Sequence, residues 1–220
     1  MGTIQTLPMQ KTISLLFLSA LLIAGCKNTE KQDAAGMAAE NYRMYKNSTI
    51  PTFWKEPSVF EYGREKARAE FMPFETEPLA IAAQAANSRY FKSLNGFWKD
   101  QYSPGPDDVP ADVEKSSWTQ VTQQTSFPGF MELKGFGKPV FKYYDLPFPH
   151  RFAEVPSDSN SVVLLQQNLQ IPDHWKEREV FAVFEGISCA YFVYVNGKLA
   201  GYNEDSRAVS EFLLSPFLTD

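Results

Sequence analysis

Residues 180–218, VFAVFEGISCAYFVYVNGKLAGYNEDSRAVSEFLLSPFL, constrain this chain more tightly than any other stretch. Two runs within it, 180–184 and 189–195, are rich in β-branched and aromatic residues and read as strands. In the second run Cys189, Tyr191, Val193 and Val195 share one face, and Ala190, Phe192 and Tyr194 share the other. Both faces are apolar, so this strand should be covered on both sides. Asn196-Gly197 follows, a pair that tolerates the two positive φ angles of a type I′ turn, and residues 198–202 return as the partner strand. The polar run Asn203-Glu204-Asp205-Ser206-Arg207 then separates this hairpin from the apolar Phe212-Leu213-Leu214 and Pro216-Phe217-Leu218. Short strands joined by turns of this kind point to an all-β domain.

The rest of the chain organises around that domain. Residues 161–171 alternate as a strand ended by Pro172, and 103–110, SPGPDDVP, read as a loop. Residues 78–88 hold Leu79, Ile81 and several alanines, a helix-prone run of about three turns. Residues 54–74 mix charges with Phe60, Tyr62, Phe71 and Phe74, as suits an arm laid over another surface. Lys27 to Thr49 is polar and Ala-rich without alternation, and reads as a flexible tether. At the start, Lys11 precedes an apolar run, 13–23, too short to span a bilayer comfortably. That pattern is a signal segment, expected to be removed. The domain reading is therefore leader 1–25, tether 26–53, arm 54–87 and β-sandwich 88–220.

Charge and cysteine content exclude several functions. The 220 residues carry 26 acidic and 21 basic side chains, a formal net charge of −5, and the basic ones are scattered. Such a surface disfavours nucleic acid and anionic lipid. With 2 cysteines and 2 histidines in all, Cys26, Cys189, His150 and His174, no zinc site can be assembled. Cys189 reads as a small buried hydrophobe in its strand, and both histidines as solvated loop residues.

Several motifs carry family resemblances. Ile23-Ala24-Gly25-Cys26 resembles the bacterial lipobox, which implies acylation of Cys26, export, and attachment to a bacterial membrane by lipid alone. The run FEGISCAYFVYVNGKLAGYNEDSRAVSEFLLSPFL resembles the N-terminal sugar-binding domain of the β-galactosidases of glycoside hydrolase family 2. Residues 89–99, RYFKSLNGFWK, look like that family's first strand, 135–141, GFGKPVF, like its GYG-x-PIY segment, and 57–74 like its N-terminal arm. The likeness covers roughly 54–220, with four motifs in the family's order. It implies a jelly-roll β-sandwich of the galactose-binding kind, preceded by the signal segment and the arm.

The resemblance also sets the functional expectation. The family's acid/base and nucleophile glutamates lie on a (β/α)8 barrel downstream, so no catalytic residue is assigned in this chain. The chain reads as an N-terminal fragment whose sandwich continues past Asp220 into a further closing strand, and an unclosed sandwich should be poorly soluble. GYNEDSRAVSEF is similar to the family's GY-x-x-DSR-x-x-x-EF, which implies that Asp205 contacts substrate hydroxyls and a sodium ion. An ionised carboxylate suits both, as acceptor and as hard ligand. Without the motif, Asp205 would read as a turn aspartate, solvated or paired to Arg207. Arg207 and Glu211 are expected to brace the loop. The full-length family enzyme also uses magnesium, for which this chain offers no site.

One departure bears on specificity. Tyr143 stands where the family's galactose-binding asparagine follows the PIYT segment, and a phenol cannot reproduce an amide's two-sided hydrogen bonding. The expected function is hydrolysis of terminal non-reducing β-D-galactose residues by the full-length, homo-oligomeric protein, with its own barrel and a β-galactoside as partners. Alternatives are a sister specificity, β-glucuronidase or β-mannosidase, a carbohydrate-binding surface lipoprotein without chemistry, or a domain that contributes only subunit contacts.

Overall fold

The computed structural model describes residues 11–15, 20–25, 51–110, 124–136 and 155–219. Eleven strands are seen among them: β1 (Lys11–Leu15), β2 (Ala20–Gly25), β3 (Glu61–Tyr62), β4 (Lys92–Ser93), β5 (Gly96–Ser103), β6 (Gln124–Phe127), β7 (Val162–Leu169), β8 (Glu179–Phe184), β9 (Tyr191–Val195), β10 (Lys198–Asn203) and β11 (Ser210–Leu213). They form a seven-stranded sheet, ordered β3-β10-β9-β1-β7-β5-β6, and a four-stranded sheet, ordered β11-β8-β2-β4. Every pairing is antiparallel. The two sheets face each other as a sandwich, the architecture that the resemblance implies, within the all-β class that the strand patterning predicts.

The core between the sheets joins Trp98, Leu165, Val193 and Val195 of the large sheet to Phe184 and Phe212 of the small one. Trp98 satisfies its indole N–H on the Leu94 carbonyl at 2.9 Å. A second cluster covers the outer face of the large sheet, where Phe53 packs on Tyr62, Phe192 and Tyr202 with ring centroids 5.5–6.1 Å apart. The two-faced strand read from residues 189–195 is therefore real: Tyr191, Val193 and Val195 point into one core and Phe192 into the other. Phe53, assigned to the tether by sequence, is buried in this second cluster, so ordered packing begins before the arm's expected boundary at residue 54.

The hairpin turn is as expected, with Asn196 at φ +50° and Gly197 at φ +73°. Other expectations are corrected. The three-turn helix is a short helix, α1 (Glu77–Ala82), that ends where Ala83 turns left-handed at φ +51°, followed by a single 3-10 turn at Ala85–Asn87. It buries no residue fully, so little packing is on hand to extend it. The strand expected over 89–99 is two strands, β4 in the small sheet and β5 in the large one, divided at Leu94-Asn95. Gly96, at φ +130°, opens β5 on the far side of that switch. Cys189 is exposed in the bend before β9 and is not a buried strand residue, because pairing starts only at Tyr191.

β1 and β2 come from the segment whose sequence reads as a leader. β1 pairs with both β7 and β9, and β2 with both β8 and β4. Cys26, Tyr143 and His150 lie outside the described residues.

Candidate functional site

The loop that carries Asp205 crosses from one sheet to the other. β10 ends at Asn203 in the large sheet, β11 begins at Ser210 in the small one, and residues 204–209 span the gap at the edge of the sandwich. The arm makes the same crossing beside it. β3 pairs Glu61 with Asn203 and Tyr62 with Tyr202, and Arg64 then bridges to Phe212 while the Glu65 N–H donates to the Glu211 carbonyl at 2.8 Å. Gly63 makes the corner at φ +64°, and a Cβ there would collide with the Ala200 carbonyl oxygen.

That corner delivers the Arg64 side chain, only 12% exposed, beneath the loop. Its Nη1 donates to Glu61 Oε2 at 3.0 Å, Asn203 Oδ1 at 3.3 Å and Asp205 Oδ2 at 3.3 Å. Its Nη2 donates to the Val209 carbonyl at 3.0 Å. One guanidinium therefore holds both ends of the loop and the carboxylate at its tip. The network continues inward: Asn203 Nδ2 donates to the Tyr191 hydroxyl at 3.4 Å and to the Asp205 carbonyl at 3.3 Å, and the Tyr191 hydroxyl bonds Ser210 Oγ. Burial pushes the Tyr191 phenol up to about 12, against the opposing pull of Ser210, Asn203 and Arg64.

The remaining contacts tie the loop to the arm and to neighbouring residues of its own sheet edge. The Glu204 N–H donates to the Phe60 carbonyl at 3.1 Å, and its carboxylate accepts from the Tyr202 hydroxyl at 2.6 Å. Burial first, and that acidic partner second, raise the Tyr202 phenol above its usual range. Arg207, left-handed at φ +69°, donates its N–H to the Ile187 carbonyl at 2.8 Å. Glu211 receives a two-pronged ion pair from Arg68, both arms at 2.9 Å.

Asp205 itself is 55% exposed at its side chain. Its pairing partner is Arg64 of the arm, not Arg207 of its own loop. Arg64 takes Oδ2, which leaves the other carboxylate oxygen to accept from a hydroxyl or to ligate a hard cation. Among the described residues no three His, Cys, Asp or Glu side chains converge as a metal site. Exposed Phe60 and Val209 belong to the same edge of the sandwich.

Arg64 is the residue that reading the sequence missed. It lies 141 positions from Asp205, and nothing in EYGREKAR beyond a glycine among charges marks it. A second polar pair lies away from this edge. Among the described residues buried Asp100 has an Oδ2 without a partner, and Lys134, its ammonium 4.5 Å from the Phe127 ring centroid, is pushed down by burial against the pull of Asp100.

Residues 91–220 match the family model for the sugar-binding domain of the family 2 glycosyl hydrolases. The chain is 30% identical to a β-galactosidase of Streptococcus thermophilus over 176 residues, 78% of this chain and 17% of that protein. It is 31% identical to one of Psychromonas ingrahamii over 167 residues, 74% of this chain and 16% of that protein. A third, from Halalkalibacterium halodurans, is 29% identical over 173 residues, 76% of this chain and 17% of that protein. The chain thus spans about a sixth of the length of these curated relatives.

Proposed function

Because this chain belongs to glycosyl hydrolase family 2 and carries its sugar-binding domain, we propose that it is the N-terminal part of a β-galactosidase. The whole protein would hydrolyse terminal non-reducing β-D-galactose residues from β-galactosides. Retaining glycoside hydrolysis needs two carboxyl groups roughly 5 Å apart, one protonating the leaving oxygen and one attacking the anomeric carbon. In this reading both glutamates belong to a downstream (β/α)8 barrel. The observation that carries the proposal is the exposed Asp205 carboxylate on a loop tied down at both ends.

Asp205 would project from the sandwich edge toward that barrel and accept hydrogen bonds from sugar hydroxyls, orienting the glycone. A sodium ion held partly by Asp205 would add a fixed positive charge for a hydroxyl oxygen. Magnesium would bind elsewhere in the full-length protein. The leader and Cys26 support export and lipid anchoring at a bacterial membrane, and the full enzyme would be a homo-oligomer. Tyr143 favours a second reading of sister specificity, in which the same site accepts a β-glucuronide or β-mannoside.

The test is to express the whole reading frame that contains this chain and assay it on chromogenic β-galactoside, β-glucuronide and β-mannoside, with Asp205→Ala alongside. Hydrolysis of the galactoside with a kcat/KM reduced about 100-fold or more in the variant is expected. Preference for another glycoside would move the reading to that specificity, and an Asp205→Ala enzyme as fast as wild type would remove Asp205 from the site.

A further inference from the structure

We propose that Arg64 is the positioning residue of this site, so that the N-terminal arm, and not the loop alone, sets the aim of the Asp205 carboxylate. The inference rests on the reading of Asp205 as a substrate-binding residue. An exposed loop aspartate has several rotamers, and each one not aimed at the ligand lowers the affinity of the site. Asp205 has one oxygen fixed at 3.3 Å by a guanidinium that is itself held by Glu61, Asn203 and the Val209 carbonyl. Those anchors come from three elements: β3, the end of β10 and the last residue before β11.

The same network reaches the core. Asn203 links Arg64 to the buried Tyr191 hydroxyl, which bonds Ser210 at the first position of β11. The arm cannot drift from the loop, because Gly63 turns it so that Arg64 bridges to Phe212, and Arg68 clamps Glu211 four residues beyond Arg64. A planar fork suits this role, since it can donate in its own plane to several acceptors at once, whereas an ammonium is a point charge on a flexible stem. The guanidinium also partly offsets the carboxylates of Glu61 and Asp205, which otherwise repel each other across the loop.

Two measurements test this. In the 220-residue chain, hydrogen exchange at the Arg207 and Ala208 amides should speed up about ten-fold or more in Arg64→Met, with β7 and β8 amides unchanged. In the enzyme expressed from the whole reading frame, a double-mutant cycle combines Arg64→Met with Asp205→Asn. If Arg64 acts through Asp205, kcat/KM falls about ten-fold or more in Arg64→Met, and the double variant is no slower than Asp205→Asn alone. Losses that multiply, or loop exchange that stays at the wild-type rate, would overturn the inference. Arg64→Lys keeps the charge without the fork and serves if the Met variant does not fold. It should fall between wild type and Met, and a Lys enzyme equal to wild type in exchange and rate would also overturn it. A wild-type enzyme inert on galactosides whose loop exchange still answers to Arg64 would sink the galactosidase reading while supporting the positioning role.

Discussion

Gly63 stands at the point where the arm leaves the large sheet for the small one, and two separate constraints meet there. Its φ of +64° is costly for any residue with a Cβ, and that Cβ would run into the Ala200 carbonyl. Gly63→Ala should therefore lower unfolding stability by about 1–3 kcal/mol, read from a urea midpoint shift at unchanged slope. Tyr191 gives a pH-dependent counterpart. Its phenol is raised to about 12 in the fold, while the unfolded chain ionises near the ordinary value of 10, so the folded state retains a proton that the unfolded state loses. Stability should be unaffected by this group below pH 10 and fall between pH 10 and 12, by roughly 1.4 kcal/mol per unit at most. Tyr202, raised in the same direction, adds to that fall. Thermal melts of wild type and Tyr191→Phe across this range check it: the variant should lose less stability between pH 10 and 12. Neither Arg64 nor the Gly63 corner could be read from local sequence. Their meaning lies in partners more than a hundred positions away, and no periodicity encodes such a contact.

Among the elements, those legible in advance are the ones whose local chemistry leaves little choice. The β9–β10 hairpin combines alternating apolar residues with Asn196-Gly197, and both signals demand the same geometry. The helix over 77–82 is shorter than its alanines suggest, because they state propensity, while helix length is decided by tertiary packing and this segment buries no residue fully. Residues 89–99 resemble the family's first strand as one piece, whereas the structure switches sheets at Leu94-Asn95. β1 and β2 raise a matter of edges. A chain lacking residues 1–26 would uncover the facing edges of β7 and β9 and of β8 and β4 at once, exposing four rows of unpaired backbone groups. Processing ahead of Cys26 would make nearly the same chain, so the lipid-anchored reading requires it to melt like the 220-residue chain, whereas the pairing of β1 and β2 predicts that it is less stable and aggregates. Circular dichroism melts of the two side by side decide it, and superimposable melts would show that β1 and β2 contribute no stability.

At the scale of the molecule, the arm is part of the sandwich. Phe53 helps to cover one face of the large sheet, β3 extends its edge, and Arg64 and Arg68 fasten the connection to the small sheet. The Asp205 loop is therefore held by the arm as well as by its own flanking strands. What the sequence determined alone was the all-β class, the hairpin and the two-faced β9, because each rests on short-range patterns of side-chain size, polarity and turn geometry, and, through the resemblance of its motifs, the family. What only the tertiary structure decided was the partner of Asp205, the corner at Gly63 and the sheet switch at Leu94-Asn95. Those depend on which distant backbones lie side by side, and that is settled by burying a shared core rather than by any one segment's preference.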